Sequence, residues 1–304
     1  FTDAHLGDAD LSLAVLNQAV LNGATCVGCS FSSTDLSKAS LVGVSFLGAN
    51  FEASRCHECT LNEAVLTASR FDDALIVMAS ANKVAIDRAS FTRATIERME
   101  MIDATLSRSD FSGASIRSVQ LRNVEATNAN FAGALISDLQ LHGTQLSRSS
   151  WSGARVRNFG AMETNLSFTN FCDAEGFDWQ LLRSTFARAH MAGTSIVNFV
   201  GEDVAFDKAD LRRSTMAYAH LVRPSFRDSA AMGSDFRGSR LIAADFTNAS
   251  LTGARLNGAS LDNGTFVCAD LQGAAFVDAS LLGSDMSSAN AGLTDFSGAY
   301  IGGS

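Results

Sequence analysis

Read in blocks of five from Ala4, the chain places a small residue and a large apolar one at fixed positions: AHLGD, ADLSL, AVLNQ, AVLNG, ATCVG, CSFSS, TDLSK, ASLVG. The third residue of each block falls at positions 1, 6, 11 and onward to 301, and it is apolar in 59 of 61 cases, the exceptions being Gly176 and Gly201. The residue two before each centre is small in most blocks, and neither position ever carries Asp, Glu, Lys or Arg. Two residues in five are therefore expected inside and three outside. A helix of 3.6 residues per turn cannot hold a period of five on one face, and a flat strand needs a period of two. A coil with a short straight and a turn in every five residues satisfies the pattern.

A second period fixes the shape of that coil. Phe31, Phe51, Phe71, Phe91, Phe111 and Phe131 recur at twenty, as do Phe186, Phe206, Phe226, Phe246 and Phe266. Leu21, Leu41 and Leu61 form another column, and Ile76, Ile96, Ile116 and Ile136 a third. Recurrence at twenty predicts four blocks per revolution, hence four sides with like residues stacked at one strand spacing of about 4.8 Å. The expected fold is all-β, a parallel solenoid of about 15 coils and roughly 70 Å. The register never slips, so residues 1–304 read as a single repeat domain.

Those blocks resemble the pentapeptide-repeat family, whose motif is approximately A(D/N)LXX and is well seen in ADFTN, ASLTG, ARLNG and ASLDN from Ala244 to Asn263. The resemblance implies a right-handed quadrilateral β-helix. It also implies two kinds of role: a scaffold within multidomain bacterial proteins, including secretion-system accessories and effectors, or a mimic of DNA that binds gyrase and confers quinolone resistance.

Composition narrows the rest. One Pro among 304 residues suggests a backbone that is hydrogen-bonded nearly throughout. The net charge of −9 argues against direct nucleic-acid binding, and no apolar run is long enough to span a membrane. The start, FTDAHLGDAD, shows no signal peptide and no initiator Met, so a cytoplasmic chain excised from a longer protein is expected. Ends in mid-repeat predict end-to-end self-association where nothing caps them.

The pattern strains at one place. The small position enlarges in one column to Met99, Val119, Leu139, Phe159, Trp179 and Phe199, with Ala161, Gly176 and Gly201 nearby to offset the volume. Phe168 and Phe177 fall at outward positions and are candidate partner contacts, unless a bulged turn tucks them in. Pro224 predicts a local irregularity.

Candidate chemistry is sparse. CVGC at Cys26–Cys29 and CHEC at Cys56–Cys59 have the look of a zinc site, but thirty residues is one and a half revolutions. The pairs are then on opposite sides, out of reach of one ion, and reduced buried thiols are expected, with a disulfide inside each pair geometrically conceivable. The five His residues fall in five different columns, and no phosphate loop or nucleophile elbow is present. Neither an enzyme nor a cofactor or metal is expected. What remains is surface: one corner column carries Arg88, Arg108, Arg148, Arg188 and Lys208, interrupted by Asn128 and Phe168. It would line an edge of about 30 Å suited to an acidic protein partner, unless neighbouring acids balance it. The gyrase reading would need a continuous acidic surface, which residues 181–240, with nine basic and six acidic side chains, do not supply.

Overall fold

A computed structural model describes residues 1–303, which form two compact units, 1–151 and 152–303. The repeat explains how each coil is made. Within a block, the chain turns between one apolar centre and the next small residue, as in Ala39 N–H donating to Leu36 C=O at 2.8 Å. The third residue of that turn has φ near +60°, for example Lys38 at 61° and Gly43 at 63°. A positive φ at this position alone is the signature of a type II turn, which favours Gly, Asn and Asp there. Asp or Asn just before the centre sets the same turn from outside. Its carboxyl or amide oxygen accepts the N–H two residues on, as Asp35 does from Ser37 and Asn130 from Ala132. The A(D/N)L motif is thus a turn motif whose polar side chain closes on its own backbone.

Successive coils join by parallel bridges between residues twenty apart. In the first unit these run from His5↔Thr25 to Asn130↔Ser150. Its strands are β1 (Thr25–Val27), β2 (Ser45–Leu47), β3 (Arg55–His57), β4 (Leu75–Val77), β5 (Thr95–Glu97), β6 (Glu100–Ile102), β7 (Ser115–Arg122) and β8 (Leu135–His142). β1 pairs with β2, and a second sheet runs β3-β4-β5-β7-β8 with β6 also against β7. In the second unit the sheet is β9 (Arg155–Met162), β10 (Glu175–Leu182), β11 (Ser195–Glu202), β12 (His220–Val222) and β13 (Arg240–Ile242). The described residues contain no helix. Regular strands mark about eleven turns among the described residues, fewer than the 15 expected coils, because isolated bridges alone hold the other coils.

The inside follows the two inward positions. Leu, Phe and Ile centres and their small partners are buried from Leu21 to Leu281. The enlarged column is buried as well, Met99, Val119 and Leu139 in the first unit and Phe159, Trp179 and Phe199 in the second. Its effect on the backbone is the one feature the period does not show. Where Val119, Leu139, Phe159, Trp179 and Phe199 stand, two adjacent sides fuse into one strand of eight residues, β7 to β11. The compensation is steric and local. A Cβ on Gly176 would lie 2.7 Å from the Trp179 indole, and one on Gly201 would lie 2.9 Å from Val204.

Pro224 does not disturb the coil. In its column neither Val204 nor Ala244 donates a backbone hydrogen bond among the described residues, so proline removes no donor its neighbours use. Its carbonyl still accepts from Asp245 N–H at 3.0 Å. The expected irregularity is corrected on that ground.

Candidate interaction surface

The backbone turn dictates where the candidate basic side chains point. Arg88, Arg108 and Arg148 of the first unit have φ of 59°, 62° and 60°, which puts each at a coil corner with its side chain outward. Arg88 N–H donates to Ser107 C=O and Arg108 N–H to Thr127 C=O, both at 2.9 Å, so these two corners stack directly. In the second unit Phe168, Arg188 and Lys208 occupy equivalent corners, with φ of 59°, 58° and 59°.

The corners differ in how their charges are balanced. On the other three corner columns several basic residues meet an acid one coil away, Arg93 with Asp73 at 2.6 Å, Arg183 with Glu163 at 2.8 Å, Arg223 with Asp203 at 2.8 Å and Lys38 with Glu58 at 3.8 Å, while Lys83, Arg98 and Arg213 have no such pair among the described residues. These pairs also move the titration of their members. The Arg93 and Arg223 guanidiniums, by hydrogen bonding first, hold Asp73 and Asp203 below the usual carboxylate range. Arg88 and Arg108 have each other as neighbours instead. Among the described residues no carboxylate lies within 4 Å of either. Asp87, next along the chain, is already engaged. Its Oδ2 accepts the Thr105 hydroxyl at 2.7 Å and its Oδ1 the Ser107 N–H at 2.8 Å.

Beside these two arginines lies an open groove of about 550 Å³, lined by Thr67, Asp87, Thr105, Ser107, Glu125 and Thr127 together with Arg88, Arg108 and Asn128. The hydroxyl floor escaped the sequence reading, although Ser107, Thr127 and Ser147 repeat at the same spacing of twenty as the arginines and Thr67 stands in the same column.

Phe168 and Phe177 both point outward, 45% and 43% exposed. The Arg188 guanidinium sits 5.5 Å from the Phe168 ring centre, a cation–π contact that makes Phe168 part of the second unit's basic corner. Phe177 is elsewhere, in the middle of β10 between Arg157 and Val197. The structure therefore does not bring the two phenylalanines together.

The cysteine expectation is corrected in one respect. The Cys26 and Cys29 sulfurs, and those of Cys56 and Cys59, are joined as disulfides inside each pair, with Cα–Cα distances of 5.9 and 5.4 Å. The reason is the turn, which brings a centre and the next small position within disulfide reach. Cys26 faces Phe46 in one sheet and Cys56 faces Ile76 in another, as the half-integral spacing predicted. Among the described residues no group of three or more His, Cys, Asp or Glu is placed to hold a metal ion. Among the described residues no helix is long and apolar enough to cross a membrane.

Several solved structures are similar to parts of this chain. HetL, a pentapeptide repeat protein involved in heterocyst differentiation regulation in Nostoc sp. strain PCC 7120, is 20% identical, with 72% of this chain and 88% of that one covered and a TM-score of 0.45. QnrB1 in a trypsin-treated form, a plasmid-mediated fluoroquinolone resistance protein, is 14% identical over 66% of this chain and 89% of its own, with a TM-score of 0.40. A pentapeptide repeat protein from the Arabidopsis thaliana thylakoid lumen is 32% identical over 30% of this chain and 59% of its own, with a TM-score of 0.26. No curated protein sequence matches. The pattern described as pentapeptide repeats matches in eight copies, and the matched ranges together cover residues 1–67, 89–153 and 232–302. With more than half of its length so matched, the chain belongs to the pentapeptide repeat family.

Proposed function

We propose that the chain is a non-catalytic scaffold that binds a protein partner through its surface, with the basic corners as the docking edge for an acidic partner. One observation carries this reading: Arg88 and Arg108 stack as like charges without a carboxylate partner, while the other corner columns contain cross-coil ion pairs. Like charges one coil apart disfavour the isolated protein slightly, and a partner's carboxylates would relieve that. Arg188, Lys208 and the Phe168 ring extend the same chemistry on the second unit. A charge-reversal set at Arg88, Arg108, Arg188 and Lys208, compared with the unaltered chain by in-cell crosslinking, tests it. The reading requires acidic partners that are lost on reversal; an unchanged crosslink pattern sinks it.

A place in a larger bacterial protein, such as a secretion-system accessory or effector, is supported by the family resemblance, and the full reading frame tests it. The alternative, a gyrase-binding mimic of DNA, is disfavoured by the mixed surface, where Arg93, Arg183 and Arg223 interleave with the acids. Inhibition of gyrase supercoiling at micromolar protein would reinstate it.

A further inference from the structure

We infer that the groove beside Arg88 and Arg108 is a binding site for a short, extended acidic peptide. The inference rests on the scaffold reading above and names the ligand class for one site in the first unit.

The groove's two walls differ in chemistry. One wall is the corner, where Arg88 and Arg108 project from backbone positions one coil spacing, about 4.8 Å, apart and carry guanidiniums whose forked donors suit carboxylates. Asn128 continues that corner. The opposite wall carries Glu125, an acceptor with no ion pair among the described residues. Between them, Ser107 and Thr127 share a hydrogen bond at 3.1 Å and keep further lone pairs for a ligand. Asp87, held by Thr105 and Ser107, adds a fixed negative charge to the floor.

This lining discriminates between anions. A phosphate polymer offers only acceptors along its backbone and would place negative charge against Asp87 and Glu125. A peptide in extended conformation carries both kinds of group. Its acidic side chains can meet Arg88 and Arg108, while its backbone N–H groups donate to Glu125 and the hydroxyls. The groove spans the coils from Thr67 to Thr127, three coil spacings or about 14 Å, which takes four or five extended residues. Acidic side chains at alternate positions of such a peptide lie on one side about 7 Å apart. Two long, flexible guanidinium arms one coil apart can reach them.

The test uses the full chain and a fluorescein-labelled hexapeptide alternating Glu and Ser, read by fluorescence anisotropy at low salt. The expected result is binding that weakens steadily with salt. It should fall about tenfold in Arg88→Ala or Arg108→Ala, and by more than that in the Arg88→Glu/Arg108→Glu double variant. The same peptide with Gln for Glu should not bind. Each variant must keep the wild-type melting temperature, which exposed corner positions allow. A single-stranded oligonucleotide or polyphosphate binding more tightly than the peptide overturns the assignment, as does absence of any peptide binding. If the peptide binds and Arg188→Glu/Lys208→Glu abolishes it while the Arg88/Arg108 reversal does not, this site is wrong and the scaffold reading survives. If neither pair matters, both fall.

Discussion

Both units carry a column of stacked phenylalanines, and they differ in how far the small position beside the centres enlarges. In the first, Phe51, Phe71, Phe91 and Phe111 stack face to face, with ring centres 4.7–4.8 Å apart and planes within 5°. Their column is a centre column, and the neighbouring small positions hold mostly Ala. One coil spacing is close to the thickness of an aromatic ring pair in contact, so identical rings stack without adjustment. In the second unit the rings enter the small position itself. Phe159 meets Trp179 at 60° and Trp179 meets Phe199 at 77°, both edge to face. The centres beside them shrink to Ala161, Gly176 and Gly201, so inward volume is moved between the two positions of the repeat. The first unit begins the same enlargement with Val119 and Leu139 but keeps full-sized centres, and an apolar cavity of about 30 Å³ remains beside them. A repeat can therefore exchange its large and small positions, provided both change together.

The largest expected effect breaks the second arrangement. Trp179→Ala removes a fully buried indole whose N–H donates to Val156 C=O at 3.2 Å. About 3–5 kcal/mol of stability should be lost in chemical denaturation. Next comes Gly176→Ala, whose new methyl meets the indole at 2.7 Å and should destabilise by about 1–3 kcal/mol. The two are coupled by construction. In a Trp179→Ala background the Gly176→Ala change should cost little, and a double-mutant cycle with no coupling would show that the exchange of volumes is not the cause.

How much of this was open to sequence reasoning depends on what the period of five encodes. It encodes inside and outside, so the four-sided coil, the buried columns and the outward arginines all followed from position alone. It also exposed the enlarged column and the glycines that balance it, since both are departures at known places. The fused strands β7 to β11 were not legible, because whether a corner bends or runs straight is decided by backbone angles that no residue count reports. The candidate groove was half legible. The arginine column was visible, but the lack of an ion pair at Arg88 and Arg108, and the prior engagement of Asp87, are matters of side-chain geometry. The sulfurs are a similar case. CxxC placed both thiols inward, while their pairing needed the Cα distance across the turn.

That pairing gives an effect of intermediate size. A disulfide across three residues closes a short loop, so its entropic contribution should be below about 2 kcal/mol. The native chain should show an intact mass four hydrogens lighter than the reduced chain, and reductant should lower the melting temperature slightly. Four alkylatable thiols among Cys26, Cys29, Cys56 and Cys59 in the unreduced denatured chain would refute the pairing. Smaller still is the gain from finishing what the first unit leaves incomplete. Val119→Leu adds one methylene beside the cavity and should stabilise by up to about 1 kcal/mol. A loss of stability instead would mean the column cannot enlarge without a smaller centre next to it.

The smallest single-site effect concerns what the two units share, the Asp turn. Hydrogen bonds from the Ser37 hydroxyl and then its N–H hold Asp35 below the usual carboxylate range, and Ser287 does the same for Asp285 in the second unit. A carboxyl whose native value is depressed stabilises the fold fully above its unfolded value, about 3.8. That contribution is lost as pH falls through the native value. Stability should thus be insensitive to these groups from about pH 8 to 5 and decline only below about pH 4. Asp35→Asn keeps an oxygen to accept the Ser37 N–H but not the charge, so it should lower neutral-pH stability by the small amount the native chain loses in acid and flatten the acid dependence. Because the turn is common to both units, Asp285→Asn should behave alike, in contrast to the unit-specific effects at Trp179 and Val119. A clear difference between the two Asp variants would mean that the packing inside, and not the turn outside, sets how each unit responds to acid.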